Sequence, residues 1–183
     1  TFTTVSGGAT DLNGLSDVLV DGTSAYFLNI PSGLSGNPTD NLVIGDSAGN
    51  SLTTGNSNTL LGKNSGNALT TGTINVMIGE NAGLGHTTNS ASVYIGTDAG
   101  KSMNASNAVC IGYRAIRNLS GAWSQHTVVG GQSCANTTQN NGHTAFGYRS
   151  LFFQSTGQRN TAVGYESLRS GTSFTDNVAL GFY

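Results

Sequence analysis

Residues 41–66 read NLVIGDSAGNSLTTGNSNTLLGKNSG, and the first nine residues of this stretch return in varied form as its last nine. In both copies an apolar triplet precedes a glycine, Gly45 or Gly62, and the two glycines are 17 residues apart. The pattern recurs at Gly79, Gly96, Gly112, Gly130, Gly147, Gly164 and Gly181. A fixed period with apolar, β-branched triplets between polar turns is typical of solenoids. We therefore predict an all-β chain, a parallel β-roll or β-helix of about nine 17-residue coils.

The apolar triplet predicts a strand that is buried on both faces. The residue just before the glycine is large and apolar in every copy, from Ile44 to Leu180, so we expect this column to form the core of the coil. The residue two before the glycine, from Val43 to Ala179, is apolar as well and points to the opposite face. A 17-residue coil is too small to cover that second face. The pattern therefore predicts assembly with further copies of the chain.

Three other columns predict how the coils stack. Asn, Ser or His stands four positions before most of the repeat glycines, and we expect these side chains to form hydrogen-bonded ladders. The glycine itself is expected to need a positive φ or to have a neighbour too close for a Cβ. Ala or Ser follows the glycine by three positions, as expected at a tight inward corner.

Residues 1–40 lack the period, although they contain short apolar runs between Gly22, Pro31 and Pro38. We expect this segment to be a connector or cap for the solenoid of residues 41–183, because an open end of stacked strands would pair with other chains. The chain opens at Thr1 with no Met and no signal-like region, so we also expect it to be a piece of a longer protein.

The repeats resemble those of two families. The stretches NLVIGDSAG (41–49), NTLLGKNSG (58–66), NVMIGENAG (75–83) and NTAVGYESL (160–168) are similar to the NTAxGYxAL repeats of phage tail fibres and tail spikes. They also resemble the shorter NSVAIG-type repeats in the heads of trimeric autotransporter adhesins. The phage proteins imply a trimeric fibre, and the adhesin heads imply a parallel β-roll made of three chains. The resemblance therefore implies a homotrimer.

Composition argues against several partners. Only 9% of the residues are charged and the net charge is −2, so nothing draws the chain to nucleic acid or to an anionic membrane. No apolar run approaches the roughly 20 residues of a membrane-spanning helix. Cys110 and Cys134 stand in different phases of the repeat, and we expect free, buried thiols.

The polar side chains predict structure before chemistry. His126 and His143 stand in one column, where a trimer would gather six imidazoles, but no third ligand type recurs beside them. We therefore expect them to replace Asn as ladder donors, with no metal and no cofactor. Opposite charges adjoin in neighbouring coils, as in Asp98 with Arg114, which predicts ion pairs between coils. His86 is expected in a solvated outer turn.

Aromatic residues are the candidate receptor contacts. Tyr113, Tyr148 and Tyr165 follow the repeat glycine directly, as does Phe182. They are expected either to pack between coils or chains, or to stack on sugars. Trp123 lies where one period of 16 residues is followed by one of 18, in a loop that departs from the packing rule.

These features favour a structural fibre that attaches to a host surface, without catalysis. The expected partners are the two other copies in the trimer, other fibre or tail proteins, and a glycan or protein receptor. The expected location is a virion tail fibre or, alternatively, a bacterial cell surface. A hexapeptide-repeat acyltransferase would repeat its apolar residue every six positions, and an ice-binding solenoid would need a regular Thr ladder. The chain has neither pattern.

Overall fold

The computed structural model describes residues 18–21, 24–27, 38–119, 125–137, 142–154, 156–171 and 173–183. Over these residues the chain is an all-β parallel solenoid with no helix, as predicted. The strands of the main sheet are β1 Val18–Asp21, β2 Ser24–Phe27, β3 Leu42–Ile44, β4 Thr59–Leu61, β5 Val76–Ile78, β6 Val93–Ile95, β7 Val109–Ile111, β8 Thr127–Val129, β10 Thr144–Phe146, β12 Thr161–Val163 and β14 Val178–Leu180. A second sheet contains β9 Asn136–Thr137, β11 Phe153–Gln154 and β13 Ser170–Gly171.

The repeat sets the register of the main sheet. Each apolar triplet forms one strand, and successive triplets pair in parallel one period apart, so that Val43 lies opposite Leu60. At the amino-terminal end, β1 and β2 pair antiparallel, and β2 continues the ladder in parallel with β3. Two strands of the 1–40 segment thus extend the sheet, and most of that segment lies outside the described residues.

The two faces of the strands are reversed relative to the prediction. The middle residue of the triplet fills the interior, and its side chain is 0% exposed in β3 to β12. The residue before the glycine faces outward: Leu61 is 41% exposed and Phe146 40%. The prediction that the column from Ile44 to Leu180 forms the core of the coil is therefore wrong. Apolarity could not separate two apolar columns, but the buried Asn column lies two residues from the middle residue and so shares its face.

The core keeps its volume by exchanging residues between two columns. In the first coils the strand supplies a large residue, such as Met77 or Tyr94, and the corner four positions after the repeat glycine is another glycine. A Cβ at Gly100 would lie 2.8 Å from the Tyr94 ring. In later coils the strand residue shrinks to Ala, and the corner residue grows to Ile116, Cys134, Leu151 and Leu168. These corner residues keep the positive φ of the glycines they replace, a strain that costs about 1–3 kcal/mol each.

The repeat glycines meet both conditions expected of them. Their φ values lie between +122° and +140°, which L side chains rarely adopt. A Cβ at Gly79 would also lie 2.7 Å from the carbonyl carbon of Gly96 in the next coil. The small residues three positions after the glycine are buried, as predicted. Cys110 and Cys134 are likewise free and buried, and burial raises the pKa of both thiols.

Candidate functional site

The exposed tyrosines form a ladder along the later coils. The ring centroids of Tyr148 and Tyr165 lie 5.5 Å apart, and those of Tyr165 and Phe182 lie 5.2 Å apart, in stacked pairs. Tyr113 is two coils from Tyr148, because Gly131 occupies this column between them. Tyr113 and Tyr165 are 47% exposed and Tyr148 is 39% exposed. The rings therefore pack between coils and still present surface to solvent.

The fourth candidate, Trp123, lies outside the described residues. The structure therefore does not bring it together with the tyrosines, and its role stays a prediction.

Basic residues collect beside the tyrosine ladder. Two columns, two and five positions after the repeat glycine, hold five of the seven basic residues of the chain: Lys101, Arg114, Arg117, Arg149 and Arg169. The same columns hold two acidic residues, Asp98 and Glu166. Five positive and two negative charges leave this surface with a formal charge of +3, whereas the whole chain carries −2. The uneven distribution makes this surface attractive to anions.

The two carboxylates brace the basic side chains. Asp98 lies 3.1 Å from Lys101, 3.6 Å from Arg114 and 3.4 Å from Arg117. Burial alone would raise the pKa of Asp98, but hydrogen bonds from Lys101 and Asn81 and the nearby positive charges outweigh it and lower the pKa. The predicted pairing of Asp98 with Arg114 across coils is confirmed.

Glu166 braces the basic side chains in the same way further along the solenoid. It lies 3.7 Å from Arg149 and 3.5 Å from Arg169. The predicted pair of Arg149 with Glu166 is therefore confirmed as well, and the carboxylates flank the arginines from both ends of the surface.

A cavity of about 260 Å³ opens between the two braced groups. We call it the arginine notch. Arg114 and Arg117 line one side, Arg149 and Phe152 line the other, and Gln132, Ala135 and Asn136 lie between them. The notch exists because Ala135 is short where the adjacent coils place Arg117 and Phe152 in the same column. It is one coil high.

Aromatic rings and a glutamine hold the guanidinium groups at the notch. The Cζ atom of Arg114 lies 4.7 Å from the ring centroid of Tyr113. That of Arg149 lies 5.0 Å from the Tyr148 ring, and Arg149 Nε donates a hydrogen bond of 2.8 Å to Gln132 Oε1. Cation–π contacts of this kind are worth about 0.5–1 kcal/mol at exposed sites. The tyrosines therefore help to orient the arginines.

Two donors at the notch lack hydrogen bonds. Within the described residues, Arg114 Nε and Arg117 Nε are buried and have only their ion contacts with Asp98 Oδ2. One carboxylate oxygen is thus shared by two guanidinium groups. Asp98 leaves much of their hydrogen-bonding capacity unused.

The polar column forms the predicted ladder inside the solenoid. Asn58 donates from its backbone N–H to Asn41 Oδ1 at 2.9 Å, and its amide group donates to the same oxygen at 3.0 Å. The histidines join this ladder through an acceptor, not as the expected donors. The His143 N–H donates to His126 Nδ1 at 3.3 Å, and the Asn160 N–H donates to His143 Nδ1 at 3.2 Å. No group of three potential metal ligands occurs among the described residues.

His86 was expected in a solvated turn, and that prediction is wrong. The side chain is fully buried, edge-on to the Tyr94 ring at 5.3 Å between centroids. Burial lowers the pKa of His86 to about 4, and hydrogen bonds with the backbone of Asn89 and Met103 only partly oppose this effect. His86 stands seven positions after the repeat glycine, where other coils have the buried Leu52, Leu69 and Met103. It is a core residue.

Sequence reasoning found the tyrosines and missed the notch. The pattern shows Arg114 and Arg149 as partners in ion pairs, but it does not by itself group the residues five positions after the glycine. The visible signal was an alanine, Ala135, between arginine and phenylalanine in that column.

Comparison of the chain with protein-family models, curated proteins and solved structures gives no match. Over the described residues of the chain, no helix is long and apolar enough to cross a membrane.

Proposed function

We propose that this chain is a non-catalytic segment of a trimeric fibre that attaches to a host surface. The observation that carries the proposal is the outward column of large apolar residues, which continues in every coil from Ile44 to Leu180. Monomeric proteins rarely expose continuous apolar patches of more than a few hundred Å². The column therefore supports a contact with other chains.

Identical copies are the partners that this column fits best. A stripe with a residue every coil matches the same stripe on a second chain when both run parallel and in register. Closed symmetry about a common axis lets each copy cover its neighbours without leaving a free stripe. The repeat resemblance favours three copies. The predicted need for a second covered face thus remains, but it passes from the column of Val43 to the column of Ile44.

The exposed tyrosine ladder supports attachment as the role of such a fibre. Rows of aromatic rings offer flat apolar faces that lose little conformational entropy on binding. The fibre would belong to a virion tail or, alternatively, to a bacterial cell surface, with other fibre proteins adjoining it and a glycan or protein receptor on the host.

Attachment can be tested with labelled chain on a panel of bacterial cells. We expect saturable binding to at least one strain, reduced at least tenfold by the double change of Tyr148 and Tyr165 to Ala. Replacement of Lys63 by Ala, on a coil without the ladder, is the control and should leave binding unchanged. Circular dichroism checks that each variant is folded. Equal binding by all three chains would refute a role for the ladder in attachment.

A further inference from the structure

We infer that the arginine notch binds a carboxylate-bearing sugar residue. The inference rests on the proposed function, because it names the ligand class that an attachment fibre would take at this surface. The notch combines a cavity, an excess of positive charge and aromatic faces within one coil height. Each of these features selects a different property of the ligand.

The charge selects an anion. Arg114, Arg117 and Arg149 line the cavity, and their carboxylate partners Asp98 and Glu166 are each shared with a further basic residue. A guanidinium group matches the two oxygens of a carboxylate with two parallel hydrogen bonds. The anionic group of a ligand would thus find donors on both sides of the notch.

The aromatic and amide groups select a sugar. Phe152 supplies an apolar ring face, while Gln132 and Asn136 supply amide groups suited to hydroxyls. Inorganic phosphate would use the arginines but neither the ring nor the amides. A volume of about 260 Å³ lies slightly below the roughly 300–1,000 Å³ of drug-sized sites, so the notch suits one sugar residue.

Binding can be measured by ligand-observed NMR with the purified chain. The probes are glucuronate and N-acetylneuraminate, with glucose as the neutral match of glucuronate and with inorganic phosphate as the anion that lacks a ring. We expect at least one acidic sugar to bind with a Kd on the order of 1 mM, more tightly than glucose and phosphate by at least tenfold. Binding should weaken as NaCl increases.

Variants place the ligand at the notch. Arg149→Gln should weaken binding of the acidic sugar at least tenfold, whereas Arg159→Gln should not change it. Arg159 is the matched control, since it forms an exposed ion pair with Asp176 outside the notch. Ala135→Leu removes no charge but fills the cavity, and it should also abolish binding while the chain remains folded.

Three results would overturn the inference. The first is binding of neither acidic sugar, and the second is phosphate binding as tight as that of the sugars, which would indicate a simple anion site. The third is a loss of assembly in Arg149→Gln, which would make the notch a contact between copies. The mass of the assembly is measured separately. A stable oligomer that binds cells but no acidic sugar would therefore refute the notch and leave the proposed function intact.

Discussion

Replacing His143 by Asn tests whether a buried imidazole makes the solenoid sensitive to acid. Asn is the commonest residue of this ladder, and its side-chain oxygen can accept the Asn160 N–H as His143 Nδ1 does now. The corresponding contact, from the Asn58 N–H to Asn41 Oδ1, measures 2.9 Å. We therefore expect the variant to fold and to differ from the parent by less than about 1.5 kcal/mol at neutral pH.

The magnitude follows from the pKa. Burial lowers the pKa of His143 from 6.5 to about 4, with hydrogen bonds to the backbone of Asn160 and Gly157 opposing it to some extent. The unfolded chain takes up this proton near pH 6.5, but the folded chain does not until near pH 4. Stability is therefore complete above pH 6.5, falls as the pH decreases toward 4, and then levels off. The loss is about 3 kcal/mol per chain, at about 1.36 kcal/mol per pKa unit.

The assay compares guanidinium unfolding of parent and variant at pH 7.5 and pH 4, at one chain concentration. His86, whose pKa is also lowered to about 4, is present in both proteins and destabilises both equally in acid. The difference between the two losses isolates His143, and we expect the parent to lose about 3 kcal/mol more than His143→Asn. Equal losses would refute the assignment of a buried, neutral His143.

Two further pairs of variants test the packing. Met77→Ala should lower the free energy of unfolding by about 2–5 kcal/mol because it empties the interior, while Ile78→Ala should mainly weaken assembly. Equal effects of the two on melting at low chain concentration would contradict the assignment of faces. Gly79→Ala should prevent folding, since its Cβ would meet the backbone of the next coil, whereas Gly131→Ala, with a Cβ 3.4 Å from the nearest ring atom, should fold. A normal melting temperature for Gly79→Ala would contradict the close stacking.

The stacking register was predictable because one glycine per period marks every coil. Pairs such as Val43 with Leu60 follow directly from the 17-residue spacing. The buried Asn ladder and the small corner residues were predictable for the same reason, since each column has one physical role in all coils.

The inner and outer faces were not predictable from apolarity, because both columns of the strand are apolar. The exchange of volume between Tyr94 and Gly100 in one coil, and between Ala145 and Leu151 in another, belongs to two columns at once. His86 was misassigned because a polar residue replaces the leucine of its column. The notch depends on contacts between coils where the period changes from 17 residues, so the columns of Arg117 and Ala135 are 18 apart.

The most direct test of the trimeric fibre is the mass of the folded chain in solution. Multi-angle light scattering after size exclusion, at micromolar concentration, should give three times the chain mass of 18.7 kDa. The same measurement on Ile78→Asp, which places a carboxylate in the outer apolar column, should give a smaller species that keeps the β signal in circular dichroism. A stable, folded parent of 18.7 kDa would contradict assembly through this column.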